Sequence, residues 1–307
     1  MNPRVKAILT QVLPPVVIEA AKHMRDRARA RQVGSGIKSV SPPMSAQRSG
    51  VVSEQPEWEA VPDSEAAWTA HEGWGHQSIA QTQRKKWPAF LASIEGTRPF
   101  GWSHEAPPGA PIDVSVHNMI ITFGYVLGRV AAARTRISIL DWGGGIGHYY
   151  AYARRLRPDL ELGYVVKDLA SLCEVGREVL PEVTFMTDET EALSRSYDLV
   201  LASSSLQYSR DLYGLLARLC DAAAGWLMVT RSPFVDRHDD FVVVQRPHQY
   251  GYLTEYPAWF INRHRFIAAV EARGFRLDRE LMLGERPHVA NAPEQCLYRG
   301  FLFQRMN

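Results

Sequence analysis

Cysteines are scarce in this sequence, and their positions do not suggest a metal site. The 307-residue chain has three, Cys173, Cys220 and Cys296, which stand far apart. Because no C-x-x-C pair exists, the sequence carries no signature of a zinc site or an iron–sulfur cluster, and no disulfide framework is indicated. A reducing compartment is the simplest interpretation, and we expect a cytoplasmic protein.

Long uncharged apolar runs are also missing. The most apolar early segment, residues 8–21, is interrupted by Gln11, Pro14, Pro15 and Glu19. It is therefore a poor membrane span and lacks the continuous apolar centre of a signal peptide. Hydrophobic residues nevertheless make up 46% of the chain and charged residues only 22%. This composition supports a folded core and excludes disorder as the dominant state.

The sequence has no large excess of charge of either sign. Lys plus Arg number 35 and Asp plus Glu 33, a net charge of +2. Residues 1–50 carry nine of the basic side chains and only two acidic ones, so the remainder of the chain is slightly acidic. Such a balance differs from that of a dedicated nucleic-acid-binding protein, and we expect no nucleic-acid partner.

The first third of the chain divides by composition into three segments. Residues 1–32 predict a basic helix, residues 33–56 are a Ser-, Gly- and Pro-rich flexible linker, and residues 57–111 predict a helical cap. The cap is rich in tryptophan, with Trp58, Trp68, Trp74, Trp87 and Trp102. Two interpretations of the basic helix stay open: a solvated or packing helix, or an arm that makes peripheral contact with anionic lipid or a polyanionic partner.

Residues 112–307 alternate strand and helix signals. This alternation predicts an α/β domain with a seven-stranded, mostly parallel sheet, helices on both faces and a hairpin-like pair at the end. Residues 233–262 form a long insertion in this pattern. The predicted strands are 136–142, 160–167, 183–186, 197–203, 225–231, 275–283 and 295–304.

A glycine-rich turn follows the first of these strands. It reads Asp141-Trp-Gly-Gly-Gly-Ile-Gly-His-Tyr-Tyr150, and its glycines allow a ligand to lie against main chain at the start of a helix. The spacing fails the G-x-G-x-x-G dinucleotide fingerprint, and no G-x-x-x-x-G-K-[ST] phosphate loop is present. The ligand expected at this turn is thus nucleotide-like but neither a dinucleotide nor a nucleoside triphosphate.

The turn instead fits D-x-G-x-G-x-G, filled by Asp141, Gly143, Gly145 and Gly147. With this motif, residues 112–304 resemble the class I methyltransferases that use S-adenosylmethionine, a family with a Rossmann-like fold. In detail the chain is similar to a group associated with bacterial glycan and natural-product clusters. It shares with them a Leu-Pro-Pro near the start, the D-x-G-G-G-x-G-x-x-Y loop and a Leu-Gln-Tyr segment at 206–208.

The resemblance implies a set of cofactor-binding residues. The glycine loop borders the amino-acid part of S-adenosylmethionine, and Asp141 acts on its ammonium directly or through water. Asp168, which closes the second strand 21 residues after Gly147, accepts from the ribose hydroxyls, with Leu169 beside it. Asp188 or Glu189 lies near the adenine amine, and Ser203 near the sulfonium. One departure is Lys167, since an ion pair with Asp168 would weaken the ribose role.

The expected catalytic and substrate residues lie close to the same loop and in the insertion. His148 is the first choice of general base, because an unperturbed imidazole titrates near neutral pH. Tyr149 and His248 are further catalytic candidates. The substrate candidates are Tyr150, Gln207, Tyr208, Tyr250 and His117.

The sequence thus predicts S-adenosylmethionine-dependent methyl transfer to oxygen or nitrogen of a small-molecule or glycan acceptor. Two alternatives stay open: an enzyme of the same fold that uses this cofactor for cyclisation or aminocarboxypropyl transfer, and a non-catalytic binding module. Simpler roles also stay open for individual residues. In these simpler interpretations the glycine cluster would be a plain tight turn and Asp188 a solvated loop or cap residue. Ser203–Ser205 would only end a strand, and the insertion tyrosines would only pack on the sheet edge.

Overall fold

A computed structural model describes residues 55–70, 73–103, 105–107, 109–132 and 134–306. The predicted basic helix at 1–32 and nearly all of the predicted linker at 33–56 lie outside these residues. The proposed domain boundaries therefore stay predictions. Within the described residues, no helix has both the length and the apolar character needed to cross a bilayer.

The helices begin where short polar side chains cap them. Asp113, for example, accepts from the amides of Ser115 and Val116 ahead of the third helix, and Asn262 accepts from Arg265 ahead of the eighth. In the described residues the α-helices are α1 (Ser64–Ala70), α2 (Gln77–Ile94), α3 (Val114–Ala131), α4 (His148–Leu156), α5 (Ala170–Val179), α6 (Glu189–Leu193), α7 (Leu212–Ala222) and α8 (Arg263–Glu271).

All the strands belong to one sheet. They are β1 (Trp58–Ala60), β2 (Arg136–Trp142), β3 (Glu161–Lys167), β4 (Thr184–Met186), β5 (Tyr197–Ser203), β6 (Ala223–Val235), β7 (Phe241–Gln245), β8 (Tyr256–Asn262), β9 (Phe275–Met282) and β10 (Leu297–Arg305). Strands β4, β3, β2, β5 and β6 are parallel neighbours in that order. Antiparallel β10 follows β6, and antiparallel β9 follows β10. These seven strands are the predicted mostly parallel sheet.

The strand number differs from the predicted seven, because the described chain forms a ten-stranded sheet. Strand β6 continues beyond the predicted residue 231, and Phe234 and Val235 at its end pair with β8. Strand β7 pairs antiparallel with β8, and β1 pairs antiparallel with β7. The insertion at 233–262 is therefore largely an extension of the sheet, stabilised by a strand from the region predicted as a cap.

Alternating apolar residues give the sheet two buried faces. In β2, Ile137 and Ile139 pack on the face covered by α3, α4 and α5, whereas Leu140 and Trp142 pack on the face covered by α6, α7 and α8. Strand β5 repeats the pattern with Leu199 and Val200. The fold is thus a Rossmann-like α/β arrangement with helices on both sides. Its ligand crevice is expected beyond the carboxyl ends of the parallel strands.

Candidate active site

Two adjoining cavities lie beyond the carboxyl ends of the parallel strands. The first has a volume of about 310 Å³ and is bounded by the glycine loop after β2 and by the ends of β3 and β5. The second has a volume of about 590 Å³ and extends toward β7, β8 and the loop after β9. The residues that line both are Trp74, Glu105, Ser204, Tyr208 and Arg231. The two cavities therefore meet at these five side chains.

The glycine loop has a backbone that other residues would not adopt easily. Gly143, Gly145 and Gly147 have φ angles of 68°, 61° and 97°. A β-carbon on Gly143 would lie 2.3 Å from Ser205 Cβ, and one on Gly147 would lie 2.6 Å from Leu180 Cδ1. The first two glycines line the first cavity, while Gly147 instead packs against the core at the start of α4.

Asp168 closes β3 and faces this loop. Its Oδ2 accepts from the Gly145 amide at 2.7 Å, and its Oδ1 accepts from the Leu169 amide at 2.7 Å. Burial raises the pKa of Asp168, and the two amide hydrogen bonds oppose that rise. The Lys167 ammonium lies 4.5 Å from the centre of the Trp142 ring. Asp168, Leu169 and Lys167 all line the first cavity.

Asp141 closes β2 beneath the loop and is fully buried. Its Oδ2 accepts from the Tyr164 hydroxyl at 2.9 Å, but its buried Oδ1 has no hydrogen-bond partner among the described residues. Burial raises the pKa of Asp141 to about 7, and the negative charge of Asp168 adds to the rise. A buried acceptor of this kind requires an explanation, because native proteins pair nearly all such atoms.

A second partnerless acceptor lies on the other side of the loop. Gln83, on α2, is 5% exposed, and in the described part of the chain nothing donates a hydrogen bond to its Oε1. A β-carbon on Gly145 would lie 3.0 Å from this oxygen. Asp141 and Gln83 both line the first cavity. Two unsatisfied oxygen acceptors therefore flank the loop where a cationic N–H donor would satisfy them.

Tyr149 and Ser203 form the floor of the same cavity. The Tyr149 hydroxyl and Ser203 Oγ are 2.8 Å apart, and the Tyr149 ring packs against Phe123. Burial raises the pKa of Tyr149, so its hydroxyl is protonated at neutral pH. This pair offers the cavity a hydroxyl hydrogen-bonding group and no charge.

His148 also lines the first cavity, although only 5% of it is exposed. Its ring makes edge contacts with Phe90 at 4.8 Å and Trp87 at 5.3 Å between ring centres. Both aromatic residues come from α2. The packing fixes the ring of His148 at the beginning of α4, within reach of the cavity. Its role as a base stays a prediction.

Several predicted site residues lie away from the first cavity. Asp188 lines neither cavity, because its Oδ1 caps α6 by accepting from the Glu191 amide at 2.7 Å. Its neighbour Glu189 lines the first cavity instead. Tyr150 packs against Tyr164, 5.3 Å between ring centres, and lines neither cavity.

The predicted substrate residues separate in the same way. Tyr208 lines both cavities and Tyr250 lines the second. Gln207 is buried behind them, where its Oε1 accepts from the Ser232 hydroxyl. His117 lies in neither lining, with its Nδ1 2.8 Å from the Phe100 carbonyl oxygen. His248 is exposed on a short 3₁₀ helix and lies in neither lining.

The junction of the cavities contains residues that sequence reasoning missed. Arg231, at 15% side-chain exposure, lies between Glu105 at 3.7 Å and Glu285 at 3.4 Å. Arg231 and Ser204 have φ angles of 51° and 50°, which are uncommon for residues other than glycine and concentrate at functional sites. The one available signal was a charged residue closing an otherwise apolar strand. Nothing in the sequence indicated its partners.

Comparisons with known proteins give structural similarity without sequence similarity. No protein-family description matches the chain, and no curated protein matches its sequence. The likeness lies in the fold. A magnesium protoporphyrin IX methyltransferase from Synechocystis PCC 6803, solved with bound SAM, is 13% identical with a TM-score of 0.44, over 74% of this chain and 95% of that one.

Two further solved structures have a similar arrangement. A 1,6-didemethyltoxoflavin-N1-methyltransferase from Burkholderia thailandensis, solved with its namesake compound and S-adenosylhomocysteine, is 13% identical with a TM-score of 0.42, over 64% of this chain and 82% of that one. A protein described as a pericyclic reaction enzyme is 11% identical with a TM-score of 0.40, over 59% of this chain and 47% of that one.

Proposed function

We propose that this protein is an S-adenosylmethionine-dependent methyltransferase acting on oxygen or nitrogen of a small-molecule or glycan acceptor. The observation that carries this proposal is the pair of partnerless buried acceptors, Asp141 Oδ1 and Gln83 Oε1, on either side of a glycine loop. An α-ammonium group carries three donors and a positive charge, so it would suit a cavity lined by these oxygens and by the carboxylates of Asp141 and Asp168.

The remaining residues of the first cavity fit the rest of the cofactor. Asp168 would accept from the ribose hydroxyls, with Leu169 and Leu172 against the adenosine. Glu189 replaces Asp188 as the candidate near the adenine amine, since Asp188 caps α6. When bound, S-adenosylmethionine supplies an electrophilic methyl group on a positively charged sulfur.

The protein's own contribution is positioning and proton removal. The junction residues present an acceptor that enters from the second cavity to the end of the first, and orientation of this kind supplies much of the acceleration in a displacement at carbon. A hydroxyl or protonated amine must also lose a proton. His148 is the proposed base, and the Tyr149–Ser203 pair orients the reacting groups.

Calorimetry with S-adenosylhomocysteine tests the cofactor assignment directly. We expect saturable binding with one site per chain, and no measurable affinity would overturn the proposal. Mass spectrometry of the nucleoside left after reaction with candidate acceptors tests the chemistry. Methyl transfer leaves S-adenosylhomocysteine, whereas cyclisation or aminocarboxypropyl transfer leaves methylthioadenosine. Binding without any turnover would favour the non-catalytic binding module.

A further inference from the structure

The second cavity has walls of aromatic rings. The aromatic residues that line it, among those described, are Trp58, Trp74, Tyr208, Tyr250, Tyr256 and Tyr298. Trp74 stacks on Tyr256 with 4.8 Å between ring centres and an interplanar angle of 20°, and it lies 5.2 Å from the Tyr208 ring. These walls suit a flat or apolar ligand, and their ring faces also attract a cation.

The charged groups inside this cavity are predominantly acidic. Of the described residues, Glu57, Glu105 and Glu285 line it together with one largely buried cation, Arg231. Asp113 and Arg286 also line it, but both are exposed at the rim and their charges cancel. The interior therefore has an excess of negative charge, which favours a positively charged occupant.

The internal guanidinium is already paired. Arg231 lies between the Glu105 and Glu285 carboxylates, so it is not a free anchor for a carboxylate or phosphate. These two carboxylates share one positive charge, so the group of three keeps a net negative charge. Lys86, which lies behind the lining, donates to the carbonyl oxygens of Glu105 and Tyr250. Lys86 thereby connects the segment after α2 to the insertion, and its positive charge lies near Glu105.

The hydrogen bonds to the Glu57 carboxylate come, within the described residues, from neutral side chains. The amide groups of Gln245 and Gln249 donate to its two oxygens at 3.3 and 2.7 Å. Burial raises the pKa of Glu57, and the charge of Glu105 contributes to the rise. Glu57 and Glu105 both line this cavity, and a ligand cation between them would be attracted by both carboxylates.

The indole of Trp74 adds a donor at the junction. Its Nε1 is buried without a hydrogen-bond partner, and the residue lines both cavities. An acceptor atom of a ligand placed across the junction would satisfy this N–H. The junction is also where the reacting atom of an acceptor would have to lie.

We propose that the second cavity binds the acceptor, and that this acceptor is an arylalkylamine, with its amine on an alkyl chain beside an aromatic ring, held as its cation between the aromatic walls and the carboxylates of Glu57 and Glu105. The identification of the occupant as an acceptor rests on the proposed function. The chemical class rests on the walls and charges of the cavity alone.

Three indoles of similar size and different charge test the class: tryptamine, the neutral tryptophol and the anionic indole-3-propionate. Each is titrated calorimetrically into the full chain without cofactor. We expect tryptamine to bind about tenfold more tightly than tryptophol, the size expected for cation–π attraction assisted by a carboxylate. Indole-3-propionate should bind most weakly of the three. Equal affinities, tightest binding by the anion, or no binding by any of the three up to millimolar concentration would overturn the proposal.

Two isosteric variants locate the recognition. Glu57→Gln and Glu105→Gln should each reduce the preference for tryptamine over tryptophol. Glu161→Gln, at an exposed carboxylate at the start of β3, is the matched control and should retain the full preference. An unchanged preference in both cavity variants would contradict the proposal. Affinity for S-adenosylhomocysteine is measured separately. Its loss would contradict the cofactor assignment of the first cavity, whereas loss of the tryptamine preference would contradict the amine assignment of the second.

Discussion

The two cavities are built differently. Most residues that line the first lie in short stretches at the ends of three neighbouring strands, and they include the three adjoining glycines 143–145, where the main chain itself faces the cavity. The second is built from side chains of segments far apart in the sequence, from Glu57 to Tyr298. Recognition by backbone requires a local motif, whereas recognition by side chains requires only that the fold bring them together. The first site can therefore be predicted from a single sequence, whereas the second cannot.

If ligand binding in the first cavity requires main chain without a β-carbon, Gly143→Ala should have the largest effect on ligand affinity. A β-carbon there would meet Ser205 Cβ at 2.3 Å, and alanine is strained at a φ of 68°. We expect at least about a hundredfold loss of S-adenosylhomocysteine affinity, since relief of the clash must move the loop. Calorimetry measures the affinity, and circular dichroism checks that the variant is folded.

Gly128→Ala is the matched control. Gly128 lies within α3, and a β-carbon there would have no neighbour within 4 Å. This change should leave ligand affinity unaltered and stabilise the protein by about 0.5–1 kcal/mol. Wild-type affinity in Gly143→Ala would show that the loop does not hold the ligand.

Replacing the proposed base should affect turnover rather than binding. His148→Gln is expected to slow methyl transfer by about a hundredfold, the lower end of general-base effects, with little change in cofactor affinity. His264→Gln, on the exposed surface of α8, is the control. The rate of S-adenosylhomocysteine release with an accepted amine is the measurement, and equal rates in His148→Gln and the wild type would exclude His148 as the base.

Asp168→Asn should weaken S-adenosylhomocysteine binding by about 1–3 kcal/mol, because charge-assisted hydrogen bonds to the ribose would be lost. Asp188→Asn gives the contrast, since this side chain caps α6 and lines neither cavity. Its affinity should equal that of the wild type. Calorimetry in which Asp188→Asn shows the larger loss would reverse the two assignments.

The smallest expected effect is a pH dependence of cofactor affinity. Burial raises the pKa of Asp141 to about 7, so in the free protein this carboxyl is partly protonated at neutral pH. A bound ammonium favours the ionised form, and affinity should therefore rise from pH 6 to pH 8 by up to about tenfold. Asp141→Asn should bind more weakly and with a flat profile over this interval. A flat wild-type profile would show that Asp141 does not bind the ammonium.

The ionisation of Asp141 should also change the stability of the free protein with pH. Stability should fall as the pH rises, whereas cofactor affinity should rise. The folded-state pKa of Asp141 lies above its unfolded value of 3.8. The folded chain therefore holds more protons between about pH 4 and pH 7, and the stability from this group is lost as pH rises through that interval. Thermal unfolding of the wild type and Asp141→Asn should diverge most above pH 7, with the variant the more stable.

Several strands were predicted accurately because their signals are local. The predicted strands 136–142 and 197–203 match β2 and β5 to the residue. Each is a short apolar run buried on both faces, which neighbouring residues alone identify. The insertion at 233–262 was different. Strands β7 and β8 exist because β8 pairs with the end of β6 and β7 pairs with β1, about 180 residues earlier.

Long-range contacts also explain which site residues were missed. Gln83 and Trp74 belong to the region predicted only as a helical cap, yet both line the first cavity. The environment of Arg231 depends on Glu105 and Glu285, which lie in separate loops. Residues from different segments carry no common spacing, so periodicity and motif searches do not connect them.

By itself the sequence determined the alternation of strands and helices and the glycine loop with its flanking acids, because these depend on neighbouring residues and on backbone conformation. The tertiary structure decided the sheet extension, the partnerless oxygens of Asp141 and Gln83, and the acidic aromatic cavity beside them. Those features arise only when distant segments pack together and exclude water, since burial is what leaves an oxygen without a partner and a carboxylate without solvent.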